Sequence, residues 1–465
     1  MSATCSSVKP ISSNTDDNNE NNKGNSKNDF FTKLAIEVLH FILNELDEKD
    51  QFNLALSCKW LYRVFRIYYF GIVTPKWEPF ESTTADGKYY GPPAANYRDG
   101  VLLNGVLYIP ILVAEAPICW LLDFKRLVIK WKKVEISMNL DNKNDYQPLR
   151  NTVSTVLRDL IYIFGGETLA GEPSNIFYEL DTKNMILRTV CFNGDVLPSA
   201  KMWHSFDKID DQHVALFGGR SSMTDDSTSK DGIKSCSSFY DTKDFYLYSD
   251  VEKSWLKYPD VNHGLPYARS AHSSLVVGYS LYIYGGQQIS LNISSSQSDI
   301  HDNEDLWEFS FESNTRNIKN NFLQNKWKKL FSPRISTSSF FGPDNNGDWK
   351  ETTGKITGKR RGAAMFTIGK KIAILGGYEK DNWMYEDNCN IVRPWEMCKL
   401  YSPEKRIWNH IRITGIPEME CIAIAKDQSG RPENVFVIGR TKGDNNDEND
   451  RDKGKLVMGW IRDNS

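Results

Sequence analysis

The sequence predicts a multidomain α + all-β chain, helical at the front and built of repeated strands behind, and three observations predict it. Apolar residues between Leu34 and Trp60 recur at helical spacing. Four strand-like runs between residues 161 and 377 each end in paired glycines. Aromatic residues are plentiful, with 13 Trp, 21 Tyr and 23 Phe, and such side chains favour strands.

Residues 1–29 are rich in Asn, Ser, Asp and Lys. They hold too little apolar surface to offset the entropy of ordering, so a disordered tail is expected. Residues 30–70 read as helices. Leu39, Ile42, Leu43 and Leu46 line one helical face, the polar cluster Asp47 to Asp50 makes a hinge, and Asp50 is placed to cap a second helix carrying Phe52, Leu54, Leu56 and Trp60. Such a hairpin has more apolar surface than it can bury internally, so it needs either its own domain or another protein to cover it.

This stretch resembles an F-box. The pattern Leu-Pro-x-Glu-(Leu/Val)-Leu appears as Leu34-Ala35-Ile36-Glu37-Val38-Leu39, followed by Ile42-Leu43-Asn44-Glu45-Leu46, Asp50 and Ser57-Cys58-Lys59-Trp60. Ala35 stands where proline is usual, and that departure touches only the first helical turn. The resemblance implies that Leu34, Ile36, Val38, Leu39, Ile42, Leu46, Leu54, Leu56 and Trp60 contact a Skp-type linker protein, with Glu37, Asp50 and Lys59 at the polar edge. The alternative is an amphipathic hairpin that packs only on its own chain.

Residues 71–96 hold Pro75, Pro79, Gly87, Gly91, Pro92 and Pro93, and read as a loop-rich linker. A repeat then runs from residue 97 to 462. Its marks are Ile161-Tyr162-Ile163-Phe164-Gly165-Gly166, Val214-Ala215-Leu216-Phe217-Gly218-Gly219, Leu281-Tyr282-Ile283-Tyr284-Gly285-Gly286 and Ile372-Ala373-Ile374-Leu375-Gly376-Gly377. An aromatic or acidic strand follows each pair, and Trp255, Trp327 and Trp408 follow three of these strands. Degenerate units at Tyr97 to Val134 and Glu418 to Arg462 extend the set, as terminal repeats often do. Polar runs from Ser221 to Ser238, Ser290 to Asn303, Ser332 to Gly358 and Lys442 to Lys453 read as long loop insertions.

The glycine pair, aromatic strand and tryptophan resemble the kelch repeat. That resemblance implies a β-propeller of about six blades, with four strands to a blade. The last unit could instead lend strands to close the first.

Cations recur upstream of the glycine pairs: Arg98, Arg150, Lys201, Arg269 and Arg361. In propellers of this kind such residues often reach one mouth of the central channel, which implies a basic ring for an acidic or phosphorylated target, since arginine forks match carboxylate and phosphate. They equally suit a structural role between blades. His204 and His272 lack further ligands at metal spacing and read as structural.

Enzymatic patterns are missing from the sequence: it contains no Gly-x-Ser-x-Gly, phosphate-cradling glycine loop or His-Glu-x-x-His, so no catalytic residue, metal site or cofactor is expected. The net charge of -3 argues against nucleic acid. No stretch approaches the ~18 apolar residues of a membrane helix. The eight cysteines show no pairing pattern, as expected in a reducing compartment.

Together the parts are similar to F-box kelch proteins of fungi. The resemblance implies a substrate-recognition adaptor of an SCF-type ubiquitin ligase, joined through the linker protein to a cullin and located in the cytoplasm, nucleus or on an organelle surface. The alternative is an F-box protein acting outside the ligase as an organelle-surface tether or morphology factor.

Overall fold

The structure, a computed structural model, describes residues 75–80, 90–93, 100–126, 128–139, 146–223, 238–259, 264–291, 298–311, 317–330, 337–343, 349–355, 360–368, 371–377, 397–413, 415–417, 419–426, 435–440 and 456–463. The chain divides into two units, Met1–Tyr69 and Phe70–Ser465. The expected tail and the F-box-like stretch, with every residue from Leu34 to Trp60, lie outside the described residues.

Among the described residues the second unit contains six sheets of four or five strands, antiparallel but for one added edge strand. Blade 1 runs Val101–Leu103, Val106–Ile111, Ile118–Asp123 and Trp131–Glu135. Blade 2 runs Val153–Leu157, Leu160–Phe164, Phe177–Asp181 and Ile186–Thr189, with Ser137–Met138 added in parallel at its outer edge. Blade 3 consists of Ser205–Lys208, His213–Phe217, Phe245–Ser249 and Ser254–Lys257. Blade 4 consists of Ser273–Val277, Ser280–Tyr284, Leu306–Ser310 and Lys328–Leu330. Blade 5 comprises Ala364–Ile368, Lys371–Leu375, Met397–Ser402 and Ile407–Arg412. Blade 6 has Glu420–Lys426, Val435–Arg440 and Leu456–Asp463.

The first strand of each blade touches the first strand of the next, and the strand at Glu420–Lys426 returns to touch Val101–Leu103. The inner strands therefore close a ring, and the sheets form a six-bladed β-propeller.

Strand periodicity explains the ring's cohesion. Alternate side chains point to opposite sheet faces, so Ile161 and Ile163 pack towards blade 1 while Tyr162 and Phe164 pack towards blade 3. Both faces of each blade are thus covered, which is why the second strands read as nearly continuous apolar runs. Each of the six apolar cores joins two adjacent blades, the last joining Phe436, Ile438 and Trp460 of blade 6 to Leu107, Ile109 and Trp120 of blade 1. The tryptophans expected on outer strands sit in these cores, as Trp255 and Trp327 show.

Closure follows the six-blade expectation and not the alternative, but it draws on a strand the sequence did not suggest. The last unit is a blade in its own right, and its outermost strand is Pro75–Pro79, taken from the stretch read as a linker. Prolines suit that position because an edge strand needs no donor on its outer side. Trp77 supplies the blade's tryptophan and lies over Gly459, where a Cβ would stand 2.6 Å from the indole.

Three of the expected polar insertions carry hairpins instead: Arg220–Met223 with Ser238–Asp241, Gln287–Leu291 with Ser298–Asp302, and Thr337–Pro343 with Trp349–Lys355. The expected insertion from Lys442 to Lys453 lies outside the described residues. Between the outer strands of blade 4 comes the helix Ile318–Gln324, capped by the Asn317 side chain. It drives Phe322 fully into the core shared by blades 3 and 4.

If the closing strand holds the ring, Trp77→Ala should cost about 3 kcal/mol, in the range for a buried tryptophan. Denaturant unfolding of the full chain checks this, and a loss below about 0.5 kcal/mol, within the usual noise of surface changes, would show that the strand is dispensable.

Candidate binding face

Strand register places the loops. Val153 pairs with Phe164, Phe164 with Phe177, and Tyr178 with Thr189, so the blade-to-blade connection and the loop between second and third strands open at the same end. Blades 3 and 4 repeat this pairing. One face of the propeller therefore carries the glycine pairs, the recurring cations and the connections from which the three hairpins arise.

At this face the glycines are required by what approaches them. All eight have positive φ, from 60 to 102°, a region that costs other residues strain. A Cβ on Gly165 would lie 2.6 Å from the Lys201 carbonyl oxygen, and one on Gly218 would lie 2.8 Å from that of Arg269. The second glycine then donates to the same carbonyl: Gly166 to Lys201 at 2.9 Å, Gly219 to Arg269 at 2.8 Å and Gly286 to Arg360 at 2.7 Å. Each cation's own N–H donates to Ser174, Thr242 or Asn303, whose N–H returns to the second glycine. A three-residue hydrogen-bond ring thus ties blade 2 to 3, 3 to 4 and 4 to 5.

The cation side chains answer the question left open by the sequence. Lys201 and Arg269 are fully buried. The Lys201 ammonium contacts Thr242 and Asp244, each at 3.0 Å. Burial pulls this ammonium below its usual pKa against the attraction of Asp244; on Asp244 burial acts upward, but Lys201 and Lys257 outweigh it and hold the carboxyl low. Arg269 forks onto Asp305 at 2.8 and 3.4 Å and onto the Gly285 carbonyl at 2.9 Å. Burial raises the Asp305 carboxyl, yet Arg269 leaves it below the ordinary range.

These two residues cement blades and do not form an open basic ring. The physical reason is a register slip of one. Arg150 pairs with Glu167 where Met202 pairs with Arg220 and Ser270 with Gln287, so Arg150 and Arg361 belong to one row, and Lys201, Arg269 and Arg360 to its buried neighbour. Arg150 stays one-third exposed and meets Glu167 at 2.7 Å. Arg361 is half-buried and donates to the Gln287 side chain at 2.8 Å. Arg98 lies outside the described residues.

The residue after the open row is left-handed in four successive blades: Asn151 (φ 54), Trp203 (φ 57), Ala271 (φ 53) and Gly362 (φ 63). Ala271 donates to the Trp203 carbonyl at 2.9 Å, and Gly362 to that of Ala271 at 2.8 Å. A bulky aromatic held at positive φ stores strain that its surroundings must over-determine. The half-buried Trp203 lies under the Arg220 guanidinium, 4.6 Å from the ring centroid. Arg220 in turn contacts Asp241 at 3.0 Å, whose other oxygen accepts the Ile289 N–H of the neighbouring hairpin at 2.7 Å. Sequence reading missed Trp203, Arg220 and Asp241, because the aromatic lies one place outside the cation row and its partner lies beyond the glycines.

His204 and His272 are buried and set their rings edge-on to Phe164 and Phe217 of the preceding blade, which agrees with their structural reading. Among the described residues no group of His, Cys, Asp or Glu has the arrangement of a metal site.

A buried pair broken on one side leaves a stranded charge, so Arg269→Ala should lose about 3 kcal/mol, whereas Arg361→Ala should stay within about 1 kcal/mol; comparative denaturant melts of the two variants check this. A second test concerns Asp207, on the inner strand of blade 3. Burial raises its carboxyl to about 6, with Ser274 and Ser205 acting the other way. A carboxyl raised on folding binds its proton more tightly when folded, so its contribution falls as pH rises from its unfolded value through about 6. Asp207→Asn should therefore gain about 2 kcal/mol at pH 7 and almost nothing at pH 4, read as the difference between the two stability profiles.

Residues 151–341 match the family described as "KLHDC2/KLHL20/DRC7 Kelch-repeats domain". Kelch domain-containing protein 3 of Rattus norvegicus is 27% identical over 256 residues, covering 53% of this chain and 51% of the relative. The Homo sapiens protein of that name is 28% identical over 230 residues, covering 48% and 46%. The chain thus spans about half the length of the curated relatives it matches. A solved structure titled "Structure of YjhT" aligns with a TM-score of 0.49 and 14% identity over 81% of this chain and 97% of its own. Residues 151–341 are thus similar to kelch repeats, and the blades they belong to form a six-bladed β-propeller.

Proposed function

We propose that this chain is a non-catalytic recognition subunit whose propeller holds a target protein on the glycine-pair face. The observation that carries this reading is the row of left-handed residues Asn151, Trp203, Ala271 and Gly362, the last three linked by hydrogen bonds between blades, with Arg150 and Arg361 at its two ends. A rigid rim loses little entropy when it binds. With Lys201 and Arg269 assigned to the scaffold, an acidic or phosphorylated target would meet Arg150, Arg361 and Arg98.

In the same reading residues 30–70 are an F-box that binds a Skp-type linker and through it a cullin, which makes the chain an adaptor of an SCF-type ubiquitin ligase. What supports this is the pattern from Leu34 to Trp60. The protein itself would make no bond, acting by raising the local concentration of the target near the conjugating enzyme. The reading calls for no cofactor and a cytoplasmic location, and the Asn-rich tail suits a fungal source.

Two variants of the full chain separate the halves. Leu39→Asp with Ile42→Asp should abolish capture of the linker and leave target capture intact. Arg150→Glu with Arg361→Glu should weaken target capture at least tenfold and leave the linker bound. Affinity purification with quantitative mass spectrometry reads both, and recovery of the linker without any cullin would move the protein from the ligase to the tether role.

A further inference from the structure

The three carboxylates most deeply buried among the described residues each have a cation. Asp241 has Arg220, Asp250 has Lys253 and Arg158, and Asp305 has Arg269 and Lys329. Asp207 breaks this pattern. It lies on the innermost strand of blade 3, Ser205–Lys208, paired with Ala215. Its neighbour Phe206 fills the core between blades 2 and 3, so alternation turns Asp207 the other way, towards Ser274 on the inner strand of blade 4. Part of the side chain is open to solvent, yet Oδ2 is buried and finds no hydrogen-bond partner among the described residues.

No lysine or arginine of the described residues pairs with it, and Lys208 beside it is taken by Asp211 at 2.6 Å. A carboxylate oxygen left without a donor in a low-dielectric wall is costly. Ser205 and Ser274 donate to the carboxyl, and an arriving cation with N–H donors recovers the cost that remains at Oδ2. Inner strands line the axis of a propeller, so the ligand must be slender enough to enter from a mouth.

We propose that Asp207 anchors an alkyl-guanidinium or alkyl-ammonium group inside the propeller, the chemistry of an arginine or lysine side chain or of a free amine. This site is independent of the target face formed by Arg150 and Arg361, and it calls for the opposite charge.

Saturation-transfer NMR of the full chain with agmatine, and with the blocked tripeptide acetyl-Gly-Arg-Gly-amide, tests it at constant ionic strength. The expected result is saturable transfer to the guanidinium chain, at least tenfold weaker in Asp207→Asn and unchanged in Asp211→Asn. Asp207→Asn keeps the shape of the side chain, and circular dichroism confirms that it is folded. A tripeptide that binds more tightly than agmatine assigns the group to a protein ligand, and the reverse order assigns it to a free amine. Equal transfer in the wild type and Asp207→Asn, an equal loss in Asp211→Asn, or displacement by sodium chloride at the same concentration overturns the proposal.

Discussion

A carbonyl oxygen pressed against a glycine is the contact on which the propeller depends. At the junctions from blade 2 to blade 5, the backbone of the incoming blade comes so near the first glycine that a methyl group would collide with it. The second glycine turns that approach into a hydrogen bond. Blades joined this way cannot slide apart without exposing both groups, and a buried unpaired peptide group is expensive. The cations beneath are a consequence of that closeness: a chain brought into the interior there needs either apolar side chains, as Leu149 supplies in blade 2, or a charge with its counter-charge, as Arg269 and Asp305 supply in blade 4.

Apolar packing then has a simple task. Since every blade is covered on both faces, its second strand needs hydrophobic residues throughout, and the aromatic third strands fill the widening space towards the rim. The junction between blades 3 and 4 is the most aromatic, with Phe217, Phe245, Phe309, Phe311, Phe322 and Trp327 in one cluster. Its extra helix covers surface that the short outer strand Lys328–Leu330 leaves open.

Much of the architecture was legible in the residues, and the gaps have physical causes. Paired glycines and tryptophans mark positions where only one residue type fits, so they survive in the text of the chain. The closing strand was not legible because Pro75–Pro79, bounded by prolines, has the composition of a loop; its strand character comes from Leu456–Asp463, far along the chain. The cation row was half legible. Counting back from the glycines crosses connections of unequal length, and an error of one residue exchanges an open arginine for a buried one, as Arg361 and Arg360 demonstrate. The hairpins were hidden because their polar, serine-rich strands lack the alternation that a buried face imposes.

Pro75–Pro79 also sets an order of events. During synthesis this segment leaves the ribosome roughly four hundred residues before its partner, so the longest-range pairing in the propeller is the last that can form. Until Leu456–Asp463 emerges, blade 6 lacks its two outer strands and leaves one edge of Val435–Arg440 bare. Mutations late in the chain would therefore be felt as failures of assembly at its beginning.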